Sequence, residues 1–269
     1  MKKIALFLAL CFLFSASAGA VYDKGLFWRV QSDSATVYLL GSIHYADESF
    51  YPLRHEIIRA FNASDHLVVE INIDADKAQR FRDLIREKGS YHGDATIKDE
   101  ISAETYRQLQ YRLNRLGMPM HMVHKQKPGV MVLTLTAVQV MKMGFMPDMG
   151  IDAYLLRRAA NSNKNVIELE TVEEQLDVFI NITDGDLLLR ETLFSLNEAE
   201  VLMMDMMYCW KRGDEVCLEE ILFEDALNRY PSFVSIYDIL FFSRNENMSS
   251  DIRTFLSDKG TYFVAVSYT

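Results

Sequence analysis

Cysteine is scarce in this chain, and that scarcity removes a class of folds at once. The three cysteines, Cys11, Cys209 and Cys217, lack the nearby partner ligands that a structural zinc site requires. Positive charge is also in deficit, with 28 Lys and Arg against 38 Asp and Glu and a formal net charge of −10. A chain of that sign is repelled by phosphate backbones and by anionic lipid surfaces, which argues against nucleic acid as a partner. Long apolar runs are missing past the first twenty residues. The richest later stretch, residues 130–143, is interrupted by Thr134, Thr136, Gln139 and Lys142 and falls short of the roughly 20 residues a membrane span takes. It reads as a buried helix, so no transmembrane segment is expected once a leader is removed. Fixed-period repeats and low-complexity tracts are absent too, which sets aside repeat architectures and extended disorder.

What is present describes an ordinary globular domain. Apolar residues make up 49% and charged residues 25% of the 269, enough for the sizeable core of one large domain. The first twenty residues stand apart. Lys2 and Lys3 precede an apolar run over residues 4–14, and a small-residue stretch ends in Ala18-Gly19-Ala20. That order is the layout of a cleavable bacterial-type signal peptide over residues 1–20, cut before Val21. It predicts a periplasmic or secreted protein whose working part is residues 21–269. In an oxidising compartment Cys209 and Cys217 can form a local disulfide or remain two buried thiols; the sequence leaves both open.

Along the chain, β-prone and helical stretches alternate. Residues 26–30 and 36–40 are short β-prone runs around a polar break, which predicts a hairpin. Residues 52–61 have helical spacing, and 66–73 read as a strand. Amphipathic helices follow over 75–88 and 103–116, the second with Ser102 as its cap. Pro128-Gly129 opens the apolar helix, a loop spans 144–150, and a helix covers 151–161. A strand over 165–169 precedes a helix with Thr171 and Glu174 at capping-box spacing. Residues 186–258 read as almost entirely helical, with one long segment reaching Trp210. The β-prone run 262–266 comes last and would close the domain by joining a sheet begun far earlier. The pattern predicts an α/β (α+β) single domain: a mixed sheet with a large helical insertion.

Two positions draw attention as chemistry. Gly41-Ser42-Ile43-His44 places a glycine where a strand end could turn tightly, and a histidine off the carboxyl end of that strand, where open α/β sheets take their ligands. Glu70, in His66-Leu67-Val68-Val69-Glu70-Ile71-Asn72-Ile73, is a carboxylate inside an apolar run. Burying it is costly unless it is paired or bound to metal. Strand alternation would put it on one face with His66, Val68 and Asn72. An imidazole and a carboxylate are a partial ligand set for a first-row divalent metal, and a solvated strand face accounts for the same residues. Other candidates are weaker. His121 and His124 have no third ligand. Asp184-Gly185-Asp186 reads as a helix start rather than a calcium loop. The methionines of residues 203–207 read as core rather than copper ligands.

In order, Leu26-Phe27-Trp28-Arg29-Val30, Tyr38 to His44, Tyr51-Pro52-Leu53, Val69-Glu70-Ile71-Asn72, Gly150-Ile151-Asp152, Leu169-Glu170-Thr171 with Glu174-Gln175-Leu176, Trp210 with Gly213-Asp214, and Arg244-Asn245 resemble the TraB/GumN family, which is similar to the TIKI metalloproteases. The resemblance runs from about Gly25 to Val266. It implies a metal-dependent hydrolase, with peptide bonds the expected substrate class. It implies a divalent metal (manganese, cobalt or zinc) held by a first Gly-x-x-His, an acidic residue and a second Gly-x-x-His. Carried over by position, His44 and Glu70 are the catalytic and metal-ligating residues, with Gly41, Asp152, Glu170 and Arg244 in the surrounding pocket. Family members follow their Phe-Val-Ala-Val strand with the second Gly-x-x-His, whereas Phe263-Val264-Ala265-Val266 here leads into Ser267-Tyr268-Thr269. The expectation is a C-terminally truncated member, with its hydrolysis of a peptide or small-molecule substrate impaired. The alternative is a non-catalytic member that binds a ligand or partner in the same cleft. A purely structural helical protein leaves the ordered motifs unexplained.

Overall fold

The computed structural model describes residues 25–224, 227–228 and 231–267; the expected signal peptide lies outside them. Five strands form one sheet: β1 Phe27–Gln31, β2 Ala35–Ser42, β3 His66–Val69, β4 Asn165–Glu168 and β5 Gly260–Ser267, in spatial order β1-β2-β5-β3-β4. The hairpin is there. β1 and β2 pair antiparallel, and the Ser32 hydroxyl accepts from the backbone N–H groups of Ser34 and Ala35 to shape the turn. The other pairings are all parallel.

The last strand is the central one. β5 lies between β2 and β3, with Leu39 opposite Val264 and Val69 opposite Ala265. Its sequence, GTYFVAVS, is close to a continuous apolar run, as a strand covered on both faces requires. Alternation then divides the sheet. Leu40, Leu67, Val69, Phe263 and Ala265 belong to one core, while Val37, Val68, Tyr262 and Val264 face the other way.

The longer helices, numbered here α1 to α9, are α1 His55–Ala63, α2 Ala75–Glu87, α3 Ala103–Leu116, α4 Pro128–Lys142, α5 Ile151–Asn161, α6 Val172–Ile180, α7 Gly185–Ser195, α8 Ala199–Arg212 and α9 Ser243–Thr254. The first core packs α1, α5 and α8 on the sheet through Ile57, Phe61, Leu155 and Trp210. The opposite face carries α9 through Ile252, followed by Phe255 and Leu256. A separate core joins α3, α4 and α7 through Leu109, Leu113, Met131, Leu135 and Leu189; it is the helical insertion. Caps set several starts. Ser102 accepts from the Thr105 N–H, Thr171 and Glu174 form a reciprocal capping box, and Asp184 accepts from Leu187 N–H, each satisfying an amide with no partner inside its own helix. Asp184-Gly185-Asp186 is thus a helix start, as its sequence indicates. No helix of the described residues is long and apolar enough to cross a membrane.

Three details differ from the sequence reading. β3 stops at Val69 rather than continuing to Ile73; its ladders with β4 and with β5 both end there. The long helical segment before Trp210 is broken between Ser195 and Ala199. Gly41 makes no tight turn: it lies within β2 opposite Val266, and its carbonyl accepts the indole N–H of Trp210 at 2.8 Å. The methionine stretch is divided, with Met203, Met206 and Met207 packed against the first core and Met204 exposed. Cys209 and Cys217 are joined by a disulfide across the turn at Gly213, with alpha-carbons 5.8 Å apart, inside the reach of such a bond.

Candidate functional site at the strand ends

β3 and β4 are parallel and end in register, with Val69 opposite Glu168. The chains then leave together. Leu169 N–H donates to the carbonyls of Val69 and Glu70, and Glu170 N–H donates to the Glu70 carbonyl at 2.9 Å. Two glutamates are thereby fixed side by side. Glu70 is 4% exposed and so is a carboxylate that needs compensation.

Arg244, from the first turn of α9, supplies it. Its Nε donates to Glu170 Oε1 at 2.8 Å, and one terminal nitrogen donates to Glu170 Oε2 at 2.6 Å and to Glu70 Oε2 at 3.1 Å. The planar fork suits this bidentate pairing. Burial works against the guanidinium charge, but Glu170 and Glu70 hold its pKa above the ordinary value. Gln175, placed in the first turn of α6 by the capping box, donates to Glu170 Oε2 at 2.9 Å and to Glu70 Oε2 at 3.3 Å. Ser267, at the end of β5, donates to Glu70 Oε1 through its backbone N–H at 2.6 Å and its hydroxyl at 2.5 Å. Glu70 therefore accepts four hydrogen bonds, the full capacity of a carboxylate.

His44 stands at the end of β2. Its Nδ1 lies 3.1 Å from Asp152 Oδ2, with 47% of the imidazole side chain and 21% of the Asp152 side chain exposed. The segment Gly150-Ile151-Asp152 reaches His44 because the two backbones touch. Ile151 N–H donates to the Ile43 carbonyl at 2.9 Å, and a β-carbon on Gly150 would run into the His44 carbonyl, whose carbon would be 2.9 Å away. Only glycine permits that approach. Desolvation pulls the His44 pKa down, and the hydrogen bond and charge of Asp152, with Glu70 beyond, outweigh it. Arg244 opposes them, and the net is a rise from 6.5 to about 9. Because the imidazole is half open to solvent, screening reduces what this pairing is worth to stability. Two buried oxygens nearby, Ser42 Oγ and Asp152 Oδ1, have no hydrogen-bond partner.

Of the residues expected from the sequence, the structure joins Glu70, Glu170 and Arg244 directly and pairs His44 with Asp152. Gly41 acts through Trp210. His66 does not belong with Glu70. It sits at the other end of β3, stacked on Tyr262 with ring centroids 4.8 Å apart and hydrogen-bonded to Asn165. His121 is exposed on the short helix Met120–Val123, and His124, at its C-terminal end, lies with Nδ1 2.8 Å from the His121 carbonyl. Gln175 and Ser267 carry contacts that their sequence positions did not disclose. The capping box pointed to where α6 begins, but nothing in the sequence indicated that Gln175, in its first turn, would meet two carboxylates.

The family model for the TraB/PrgY/gumN family matches residues 26–268. The chain belongs to the TraB/PrgY/gumN family. It is similar to the uncharacterized protein YbaP of Escherichia coli (strain K12), 27% identical over 230 residues, which is 85% of this chain and 81% of YbaP. The Shigella flexneri YbaP matches to the same extent. An uncharacterized protein of Treponema pallidum (strain Nichols) is 22% identical over 174 residues, covering 61% of this chain and 50% of its own length. No solved structure matches.

The divalent metal implied by the family resemblance can be tested against these residues. Among the described residues no three His, Cys, Asp or Glu side chains are grouped to hold a metal ion. The four acceptor positions of Glu70 are all taken, whereas a metal needs a free carboxylate oxygen. The residues in this arrangement do not fit a three-ligand catalytic metal site.

Proposed function

We propose that this TraB-family chain acts outside the cytoplasm and binds a polar ligand of the peptide or small-molecule class at the carboxyl ends of its strands, without metal-dependent hydrolysis. The saturated Glu70 carboxylate carries this reading. The carboxylate that a hydrolase would need free is instead a buried anchor tying α9, α6 and β5 together. His44 remains as the group able to meet a ligand. Its Nε2 has no partner among the described residues, and Asp152 fixes the ring through Nδ1. A charged imidazole offers an N–H to a carboxylate or carbonyl oxygen. Titrating the purified chain with acetyl-alanyl-alanine and with its carboxamide, while following the imidazole resonances of His44 by NMR, tests this. The acid is expected to shift them more than the amide. Unchanged His44 resonances with both would overturn the reading.

A second reading, metal-dependent peptide hydrolysis, is favoured by the His44–Asp152 pair, because a carboxylate on the outer nitrogen is a common support for a metal-bound histidine. It requires Glu70 to leave Ser267 and a third ligand to arrive. Stoichiometric manganese, cobalt or zinc binding, with peptide hydrolysis abolished by His44→Ala, would establish it in place of the first. N-terminal sequencing of the exported protein, expected to begin at Val21, tests the extracytoplasmic location.

A further inference from the structure

A cavity of about 450 Å³ lies on the sheet face away from the first core, between that face and α9. One wall is Val30, Val37, Leu39 and Val266, all from the sheet. The other is a stripe on α9: Asn245, Met248, Ser249, Ile252 and Arg253. Their spacing is that of one helix face, so the stripe points into the cavity along its length. From Asn245 to Arg253 the helix advances about 12 Å. The volume falls in the range of small-molecule sites, and an apolar lining with a few polar groups is their usual composition.

The polar groups are unevenly placed. Asn245 and Ser267 stand at the end next to the Glu70–Arg244 network, and both are neutral. α9 runs antiparallel to β5, so Arg253 is at the opposite end. Arg253 is exposed and takes part in no ion pair among the described residues. Arg244, one end of the same helix, is by contrast held by two carboxylates. Among the described residues the cavity thus offers an elongated apolar trough with one available cation, Arg253, at its far end. In a chain of net charge −10, a lone guanidinium at an apolar mouth selects for an anionic head on an apolar body.

We propose that this cavity binds an aliphatic monocarboxylate, its chain along the trough between β2 and α9 and its carboxylate on Arg253. The site is separate from the His44 ligand site, so it stands or falls independently of the function proposed above.

The test is displacement of a fluorescent fatty acid from the purified chain by decanoate and by decanol. Decanoate is expected to compete with saturable, one-to-one stoichiometry and to do so more strongly than decanol. Arg253→Gln is expected to weaken decanoate about tenfold, the scale of one charged hydrogen bond, and to leave decanol unchanged. Ser249→Trp, on a helix surface facing the trough, fills it from a position that leaves the sheet core untouched and is expected to abolish displacement by both. His44→Gln should change neither. Absence of saturable binding, equal strength of decanoate and decanol, or indifference to Ser249→Trp in a variant with wild-type circular dichroism would each overturn the proposal.

Discussion

Replacing Arg244 by methionine examines the strand-end network most directly. The Arg244 side chain is 19% exposed, Glu70 4% and Glu170 10%, so the three groups are largely out of water. The substitution keeps the apolar stem and removes the cation. Glu70 would keep Ser267 and Gln175, while Glu170 would keep only Gln175, and two adjacent carboxylates would face each other without a counter-charge. Removing one partner of a buried ion pair costs about 3–5 kcal/mol. The donors that remain on Glu70 place the expected loss near the low end, about 3 kcal/mol. With a urea slope of about 2–3 kcal/mol/M, the midpoint should fall by roughly 1 M, and Tm by roughly 6–12 °C for a chain of this size. Arg244→Lys keeps the charge but not the fork and should fall between. Glu170→Gln in the Arg244→Met background should restore part of the loss, because it removes one of the two repelling charges. A loss for Arg244→Met below about 1 kcal/mol, the range of exposed pairs, would refute the buried network as a stabilising element.

Other outcomes follow from single contacts. Gly150→Ala should cost roughly 1–3 kcal/mol by overpacking and should shift the His44 imidazole resonances, since the added carbon meets the His44 carbonyl; unaltered resonances would show that the segment moves aside. The His44 imidazole should titrate near pH 9, and Asp152→Asn should return it toward or below 6.5, both readable by NMR. Because the folded value is the higher one, the stability contributed by this pair is fully present below pH 6.5 and lost as pH rises through about 9. Cys209→Ser should lower stability by roughly 2–3 kcal/mol through loss of a short closed loop, and thiol titration of the unreduced, unfolded chain should find neither Cys209 nor Cys217 free.

Local rules in the sequence determined much of this protein. Alternation and turn chemistry gave the β1–β2 hairpin, helical spacing gave α5 from Ile151 to Asn161, and cap residues at Ser102 and Thr171 marked where α3 and α6 begin. These features depend on neighbours within a few residues, so one chain suffices to read them. The β-prone run at residues 262–266 also announced a strand that closes the domain. Its place at the centre of the sheet depended on pairing with β2 and β3 at once, which no local pattern encodes. The site divides in the same way. His44 and Glu70 were legible as a histidine and a carboxylate at strand ends; Arg244 entered only through the family resemblance. Whether Glu70 was a free ligand or a bound anchor was decided by Gln175 and Ser267, 105 and 197 residues away along the chain. The tertiary structure brings these donors onto both oxygens because β3 and β4 end together and β5 runs on past them to Ser267, and a buried carboxylate is stable only when its acceptor positions are filled.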